Sequence, residues 1–140
     1  MKALLLLLTS CKIVETPEVT YSLNASADLE PDLDRALGGW ATLGIFRDDS
    51  APNPIYVERV PDGAIPADGT ANRANRLVRV KNSLKGIRLL VVLAHEVGHV
   101  VLDTANHTFG CGIMGGSDTF PCDEDIVLAC TTFPTLEVCL

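Results

Sequence analysis

The sequence predicts a small α+β domain built around one central helix. Its 140 residues, 47% of them hydrophobic, are enough for one compact core but not for two. The apolar patterns follow one another as a helix, a group of strands, a long apolar helix, a glycine-rich loop and a final helix. Strands and helices that occur in separate groups along the chain are typical of the α+β class.

The first predicted helix begins at Pro31, a residue type that favours the first helical turn. Leu33, Leu37 and Trp40 follow at helical spacing and would form its buried face. The pair Gly38-Gly39 weakens the middle of this helix, because glycine loses more backbone freedom there than other residues do.

Three segments rich in aliphatic and aromatic residues are predicted as strands: residues 43–47, 55–60 and 76–81. A turn at residues 48–54 and a loop at residues 61–75, which contains many glycine, proline and aspartate residues, separate them. In the last strand two valines alternate with basic residues, so one face is predicted to be buried and the other exposed.

A long apolar segment at residues 84–102 is predicted as the central helix, with Ser83 as its cap. It is hydrophobic on nearly every side, which predicts burial in the middle of the fold. A membrane span is the competing interpretation, but an arginine, a glutamate and two histidines interrupt the run. A glycine-rich stretch at residues 110–116 and a short helix at residues 123–131 complete the order.

The central helix carries the sequence His95-Glu96-Val97-Gly98-His99. Residues four apart share a helix face, so His95 and His99 can bind one ion, with Glu96 beside the position of a metal-bound water. These side chains would be costly in an apolar helix unless a dication satisfied them. The alternative is two core histidines bonded to the backbone, with Glu96 at the surface. The pattern is typical of zinc hydrolases and predicts Zn²⁺ as the cofactor.

A tetrahedral zinc site that leaves one position for water needs a third protein ligand. His107 is the remaining histidine and follows His99 by eight residues. Asp103 shares the helix face, but on a continuous helix it would lie about 12 Å from His95, too far to share an ion. The other candidates are Cys111 and three acidic residues of the following helix: Asp123, Glu124 and Asp125.

With these residues the chain resembles the metzincin metalloproteases. Members of that family carry two histidines and a glutamate on a helix, then a third histidine, and then a methionine-containing turn beneath the metal. This chain has matching residues in the same order: His95, Glu96, His99, His107, and Met114 in the turn Cys111-Gly112-Ile113-Met114-Gly115-Gly116.

The resemblance covers about residues 30–133, with two departures. Leu102 stands where the family has a helix-ending glycine, and Ala105 stands where its third histidine usually falls. The loop to His107 is therefore two residues longer than usual. Some members also add a tyrosine near the methionine turn, whereas Tyr21 and Tyr56 lie far upstream here.

The resemblance implies a zincin-like fold, in which a short twisted mixed sheet packs on the active-site helix and a C-terminal helix follows. It implies peptide-bond hydrolysis by an endopeptidase, with Glu96 as general base on a zinc-bound water and Met114 as a structural residue. By analogy, an exposed strand edge beside the active helix would bind the substrate backbone, and residues 76–81 are the candidate. The alternative is a non-catalytic surface lipoprotein in which zinc only stabilises a small fold.

The chain opens with a lysine and a short apolar run that resemble an export signal. Leu8-Thr9-Ser10-Cys11 resembles the lipobox of bacterial lipoproteins, which makes Cys11 the candidate lipidation site. The segment from Lys12 to about Leu29 is interpreted either as a tether or as containing one early strand at residues 18–23. The predicted parts are a signal at residues 1–10, a tether at residues 11–29 and a catalytic domain at residues 30–140. We therefore expect an exported protein, secreted or held at a bacterial membrane by a lipid anchor alone.

An exported protein would pair the four cysteines that remain without Cys11: Cys111, Cys122, Cys130 and Cys139. A helix over residues 123–131 would hold Cys122 and Cys130 about 12 Å apart, beyond the disulfide reach of about 7 Å. The preferred pairing joins Cys111 to Cys122 and Cys130 to Cys139.

The formal net charge of -7 argues against a nucleic-acid partner, because such binding depends on an excess of lysine and arginine. A peptide or protein substrate is the expected partner. Residues 69–88 nevertheless carry six basic and no acidic side chains. This basic block could steer an acidic partner, or it could be the solvated face of a strand.

Overall fold

The structure is a computed structural model that describes residues 18–140. The export signal predicted at residues 1–10 and the lipidation site predicted at Cys11 lie outside the described residues. So does the first part of the predicted tether.

The described residues form a small α+β domain with a mixed sheet and four helices, as the sequence predicts at this level. The strands are β1 (Val19–Tyr21), β2 (Leu23–Ala25), β3 (Ile45–Arg47), β4 (Ile55–Val60), β5 (Gly69–Asn72) and β6 (Leu77–Lys81). The helices are α1 (Glu30–Ala36), α2 (Gly38–Ala41), α3 (Gly86–Val101) and α4 (Asp123–Thr132). Short 3-10 helices occupy Ala27–Leu29, Asp62–Ala64 and Glu137–Cys139.

The larger sheet has the strand order β2-β4-β6-β5. Strands β2, β4 and β6 are parallel, and β5 pairs with β6 in the antiparallel direction. Strand β1 pairs in parallel with β3. After Ser22 the chain continues from β1 into β2. Strand β5 is therefore an edge strand and the sole antiparallel member of this sheet.

One face of the sheet packs on the helices. The inward residues of β4 and β6, namely Ile55, Val57, Val78 and Val80, are at most 2% exposed. The intervening Tyr56 and Arg79 lie on the outer, solvent-exposed face. This alternation, which the sequence predicts for the last strand, positions the sheet against α3.

Helix α3 lies in the core, where Leu93, Ala94 and Val97 are fully buried. The short helix α2 is fastened to it by a buried hydrogen bond, in which Trp40 Nε1 donates to the carbonyl oxygen of Ala94 at 3.0 Å. The predicted first helix is divided at Leu37, immediately before the glycine pair, into α1 and α2.

The prediction of a loop over residues 61–75 is wrong at Gly69–Asn72, which form β5. This segment has a single β-branched residue, Thr70, between residue types that are rare in strands, and its pairing with β6 decides its conformation. In consequence the segment at residues 76–81 is not an edge. It lies between β4 and β5, so the predicted substrate-binding edge belongs to β5 instead.

Two further boundaries differ from the prediction. Helix α3 begins at Gly86 after Lys85, and Ser83 does not cap it; the Ser83 amide instead donates to Asp62. The residues of β1 and β2 belong to the folded domain and not to a tether, because they pair with β3 and β4. The early strand was the correct alternative there.

The described part of the chain contains two disulfides, Cys111–Cys122 and Cys130–Cys139, with Cα–Cα distances of 6.1 and 5.5 Å. This is the pairing preferred from the sequence. Such bonds indicate an oxidising, extracytoplasmic environment. Within residues 18–140, none of the helices has both the length and the apolar character that a membrane crossing requires.

Candidate metal centre

Helix α3 and the loop after it bring three imidazoles together. His95 is half-buried and His99 is buried, and their Nε2 atoms lie 3.1 Å apart. His107, which is exposed, places its Nε2 atom 3.0 Å from that of His99. All three ligand atoms lie within 4.8 Å of one another, so the described residues contain a group that could hold a metal ion.

Two of the rings are oriented by the backbone. His95 Nδ1 lies 2.9 Å from the carbonyl oxygen of Ile113, and His99 Nδ1 lies 2.7 Å from that of Thr104. A carbonyl oxygen only accepts, so each Nδ1 carries the proton and donates it. Both Nε2 atoms therefore direct a lone pair toward the space between the rings.

Burial keeps these rings uncharged. It lowers the pKa of His99 to about 4 and also holds the pKa of His95 below its usual value. Neutral imidazoles whose Nε2 lone pairs face one another repel unless a cation lies between them. Ligand nitrogens in a tetrahedral zinc site lie about 3.3 Å apart, close to the separations found here. The donor set therefore fits a metal ion, and metal binding requires the neutral form that burial favours.

The end of α3 determines where His107 lies. Leu102 still has helical backbone angles, and Asp103 adopts a left-handed conformation with φ of 46°. The Thr104 amide then donates to the carbonyl oxygen of His99 at 3.1 Å, which turns the chain back beside the helix. Asp103 thus makes the bend that a glycine commonly makes at a helix end, and the loop can return an imidazole to the site.

The other candidates for the third ligand are engaged elsewhere. Asp103 is exposed and pairs with Arg73 at 3.5 Å. Glu124 accepts a hydrogen bond from the Phe109 amide at 2.8 Å, and Cys111 is bonded to Cys122. The remaining two acids, Asp123 and Asp125, lie in the first turn of α4, outside the histidine cluster.

Glu96 lies on the wall of a cleft beside the histidines. The cleft, of about 330 Å³, is also lined by His95, His107 and the start of β5. A Cβ atom on Gly69 would lie 2.9 Å from Glu96 Cγ, so only glycine lets the strand pass this close to the helix. Burial raises the pKa of Glu96 to about 7.

The turn at residues 111–116 lies below the metal centre and is held by Asp125. This carboxylate is fully buried and accepts hydrogen bonds from the amides of Ile113 at 2.8 Å, Met114 at 2.9 Å and Cys122 at 2.9 Å. Since the Ile113 carbonyl oxygen accepts from His95, the peptide unit between Ile113 and Met114 connects Asp125 to one of the three candidate ligand rings. Asp125 is a structural support for the site and not a ligand.

Met114 is fully buried and packs under the helix. A Cβ atom at Gly98 would lie 2.7 Å from Met114 Sδ and 2.6 Å from Trp40 Cζ2. The glycine of the motif therefore allows the methionine turn and Trp40 to approach the backbone between Glu96 and His99.

Sequence reasoning did not assign the support roles of Asp125 and Gly69. An acidic residue in the first turn of a predicted helix is usual, so Asp125 gave no signal beyond a possible ligand. Gly69 stood in a segment interpreted as a loop. Both roles depend on distant parts of the chain. Comparison with models of known protein families and with curated proteins finds no match for this chain.

Proposed function

We propose that this chain is a zinc-dependent endopeptidase of the metzincin type. His95, His99 and His107 would hold the zinc ion, and Glu96 would act as the general base. The observation that carries the proposal is the convergence of three imidazoles, two of them oriented by backbone carbonyls, beside a half-buried glutamate in a cleft bordered by a strand edge. Three nitrogen ligands with one open position are typical of catalytic zinc sites.

When bound, zinc would supply Lewis acidity that polarises the substrate carbonyl and makes water a nucleophile near neutral pH. Glu96 would accept the proton of the attacking water and then transfer it to the leaving amine. The pKa of Glu96, raised by burial to about 7, suits a group that must both gain and lose a proton. Burial favours the neutral form of His95 and His99, and donation of their Nδ1 protons to backbone carbonyls leaves each Nε2 lone pair available to a metal.

The edge of β5 supports a peptide substrate. The Lys81 amide donates to the Asp68 carbonyl at 3.0 Å, which makes these two residues a hydrogen-bonded pair. Because such pairs alternate along antiparallel strands, Gly69 and Ala71 direct their N–H and C=O groups away from β6. An extended peptide can add to this free edge and pass Glu96.

A second candidate is a non-catalytic surface protein in which the metal only stabilises the fold. It is favoured by the absence of tyrosine from the residues that line the cleft. Tyr21 is buried in β1 and Tyr56 lies on the outer face of the sheet. No phenol is therefore available at the site in the described part of the chain to assist the reaction.

The decisive experiment uses Glu96→Gln with Glu58→Gln as a control of identical chemistry. Glu58 is on the outer sheet face and pairs with Arg79. We expect the unaltered protein and both variants to bind one zinc ion per chain. The rate of peptide hydrolysis by Glu96→Gln should be about 10²- to 10⁴-fold lower than that of the unaltered protein. Chelator-sensitive activity that survives in Glu96→Gln contradicts the proposed general base. One zinc per chain with no hydrolysis of any peptide library by the unaltered protein favours the second candidate.

We also propose that export leaves a lipid on Cys11. The two disulfides support export, and the lipobox-like residues support the anchor. Mass spectrometry of the mature protein from a bacterial host should show a diacylglycerol adduct that Cys11→Ser lacks. A mature chain that keeps residues 1–10 and carries no adduct contradicts the anchor.

A further inference from the structure

The basic block of the sequence contributes one residue to the wall of the metal cleft. Arg88 lies in the first turns of α3 and lines the cleft together with Val91, Val92 and His95. Seven residues separate it from His95, a rise of about 10 Å along the helix. That length equals about three residues of an extended peptide, or one residue with a long side chain. A group on a substrate held at Glu96 can therefore reach Arg88.

Three of the other five basic side chains of the block have separate partners on the surface. Arg79 pairs with Glu58, Arg73 with Asp103, and Arg76 donates to the backbone oxygen of Asn53. These contacts fit the interpretation of a solvated surface. Arg88 is the member of the block that the cleft includes.

Arg88 shares its acidic partner with a second cation. Its Nε donates to Asp68 Oδ2 at 3.0 Å, and the same carboxylate has Lys81 Nζ at 3.9 Å. Asp62 also lies near Lys81, so Asp68 is the carboxylate that pairs with Arg88 and Asp62 contributes the second negative charge at this corner. The contact at Nε also fixes the plane of the guanidinium. Its two Nη groups donate no hydrogen bond to any residue that the structure describes, and Arg88 is exposed.

We propose that Arg88 is a specificity-determining residue that binds a substrate carboxylate within about three residues of the scissile bond, with Asp68 orienting its guanidinium. This inference rests on the proposed peptidase function. A guanidinium with both Nη groups free offers paired donors that match a carboxylate. The carboxylate has two possible sources, an acidic side chain within the peptide or the C-terminal carboxylate of a short one.

The test uses the full zinc-loaded chain and peptides that differ in one group. One set has blocked ends and Glu, Gln or Lys fixed at each position in turn, and a second set compares a free C-terminus with an amide. We expect the unaltered protein to prefer Glu over Gln, or the free acid over the amide, by about tenfold in kcat/KM, as for one exposed charged contact. Arg88→Gln should reduce that preference to about one, and Arg88→Glu should reverse it in favour of Lys.

Arg79→Gln is the matched control, since it removes the same charge from the outer face of the sheet. It should leave the preference unchanged. When the peptides are hydrolysed, the proposal is overturned if neither set shows a preference for the carboxylate, if Arg88→Gln retains the preference, or if the unaltered protein prefers Lys. A preference for Lys would indicate that the carboxylate of Asp68, and not Arg88, recognises the charged side chain of the substrate.

Binding separates this inference from the proposed function. Zinc-loaded Glu96→Gln should bind fluorescein-labelled peptides of the favoured set about tenfold more tightly than their neutral counterparts, and the double variant with Arg88→Gln should not. If the unaltered protein hydrolyses nothing but this difference is found, the catalytic proposal fails and the recognition by Arg88 stands. Equal binding of charged and neutral peptides, or no binding of either, overturns the inference.

Discussion

Three imidazoles meet at one point because two of them are one helical turn apart and the third returns on a loop. His95 and His99 need only a continuous helix to share a face. His107 needs the bend at Asp103 and the hydrogen bond from Thr104 to His99. The contribution of each residue can therefore be tested separately.

Loss of the third ring should weaken metal binding without unfolding the protein. His107 is exposed, so His107→Ala leaves the core intact. A site reduced from three nitrogen ligands to two should bind zinc at least about 100-fold more weakly, measured by competition with a chromophoric chelator. Asn106→Ala, one residue away and exposed, is the control. An unchanged affinity in His107→Ala would remove this residue from the ligand set.

In the metal-free protein, the contribution of His99 to stability should be lost as the pH falls from about 6.5 to about 4. In the folded state the pKa of His99 is near 4, and in the unfolded chain it returns to about 6.5. Between these values the unfolded state binds more protons at His99, so this contribution to the free energy of unfolding decreases with falling pH and levels off below pH 4, whereas Glu96, whose pKa is raised to about 7 in the folded state, contributes in the opposite direction. Urea titrations of the chelator-treated protein at several pH values measure this slope. His99→Gln should reduce it, whereas an identical slope in that variant would contradict the assignment.

At the scale of elements, the two sides of the site differ in how well the sequence predicts them. The periodic pattern of residues 84–102 predicts α3 within two residues at its start and one at its end, because apolar periodicity reports directly on a helix. Strand β5 has no such pattern. Its conformation comes from β6 on one side and from the approach of Gly69 to Glu96 on the other, contacts between residues distant in sequence.

The turn at residues 111–116 should depend on Asp125. Replacement by alanine leaves two buried amides and the partly buried Cys122 amide without an acceptor. Each buried amide costs about 1 to 3 kcal/mol, so we expect a large loss of stability in urea unfolding. Asp125→Asn keeps one acceptor oxygen and should fold. It should bind zinc about 10- to 100-fold more weakly, because the peptide of Ile113 orients His95. Asp123→Asn, exposed on the same helix, should bind zinc as the unaltered chain does, and equal affinities in both variants would contradict this role.

At the scale of the whole molecule, the sequence predicts the class, the order of elements from α1 onward apart from β5, the cysteine pairing and the cluster of histidines. These follow from hydrophobic periodicity, from spacing and from the number of cysteines. It does not predict that β6 is a central strand of the sheet. Whether a strand is central or at an edge depends on whether another strand pairs with its second side, and here β5 does so. The sequence also does not predict the charged contacts of the basic block, because the path of β5 and β6 brings Arg88 and Asp68 together.

The two disulfides should both stabilise the fold, but only one of them should affect metal binding. Cys111–Cys122 closes the loop that contains the methionine turn, whereas Cys130–Cys139 joins α4 to the last residues of the chain. Removing either bond should lower the free energy of unfolding by about 2 to 3 kcal/mol, as expected for loops of this length. The double variant Cys111→Ser/Cys122→Ser should in addition bind zinc more weakly, because Ile113 loses its constrained position beside His95. Cys130→Ser/Cys139→Ser should bind zinc unchanged. Urea unfolding and chelator competition on both variants measure the two effects, and an equal loss of zinc affinity in both would show that the turn is not held by its own disulfide.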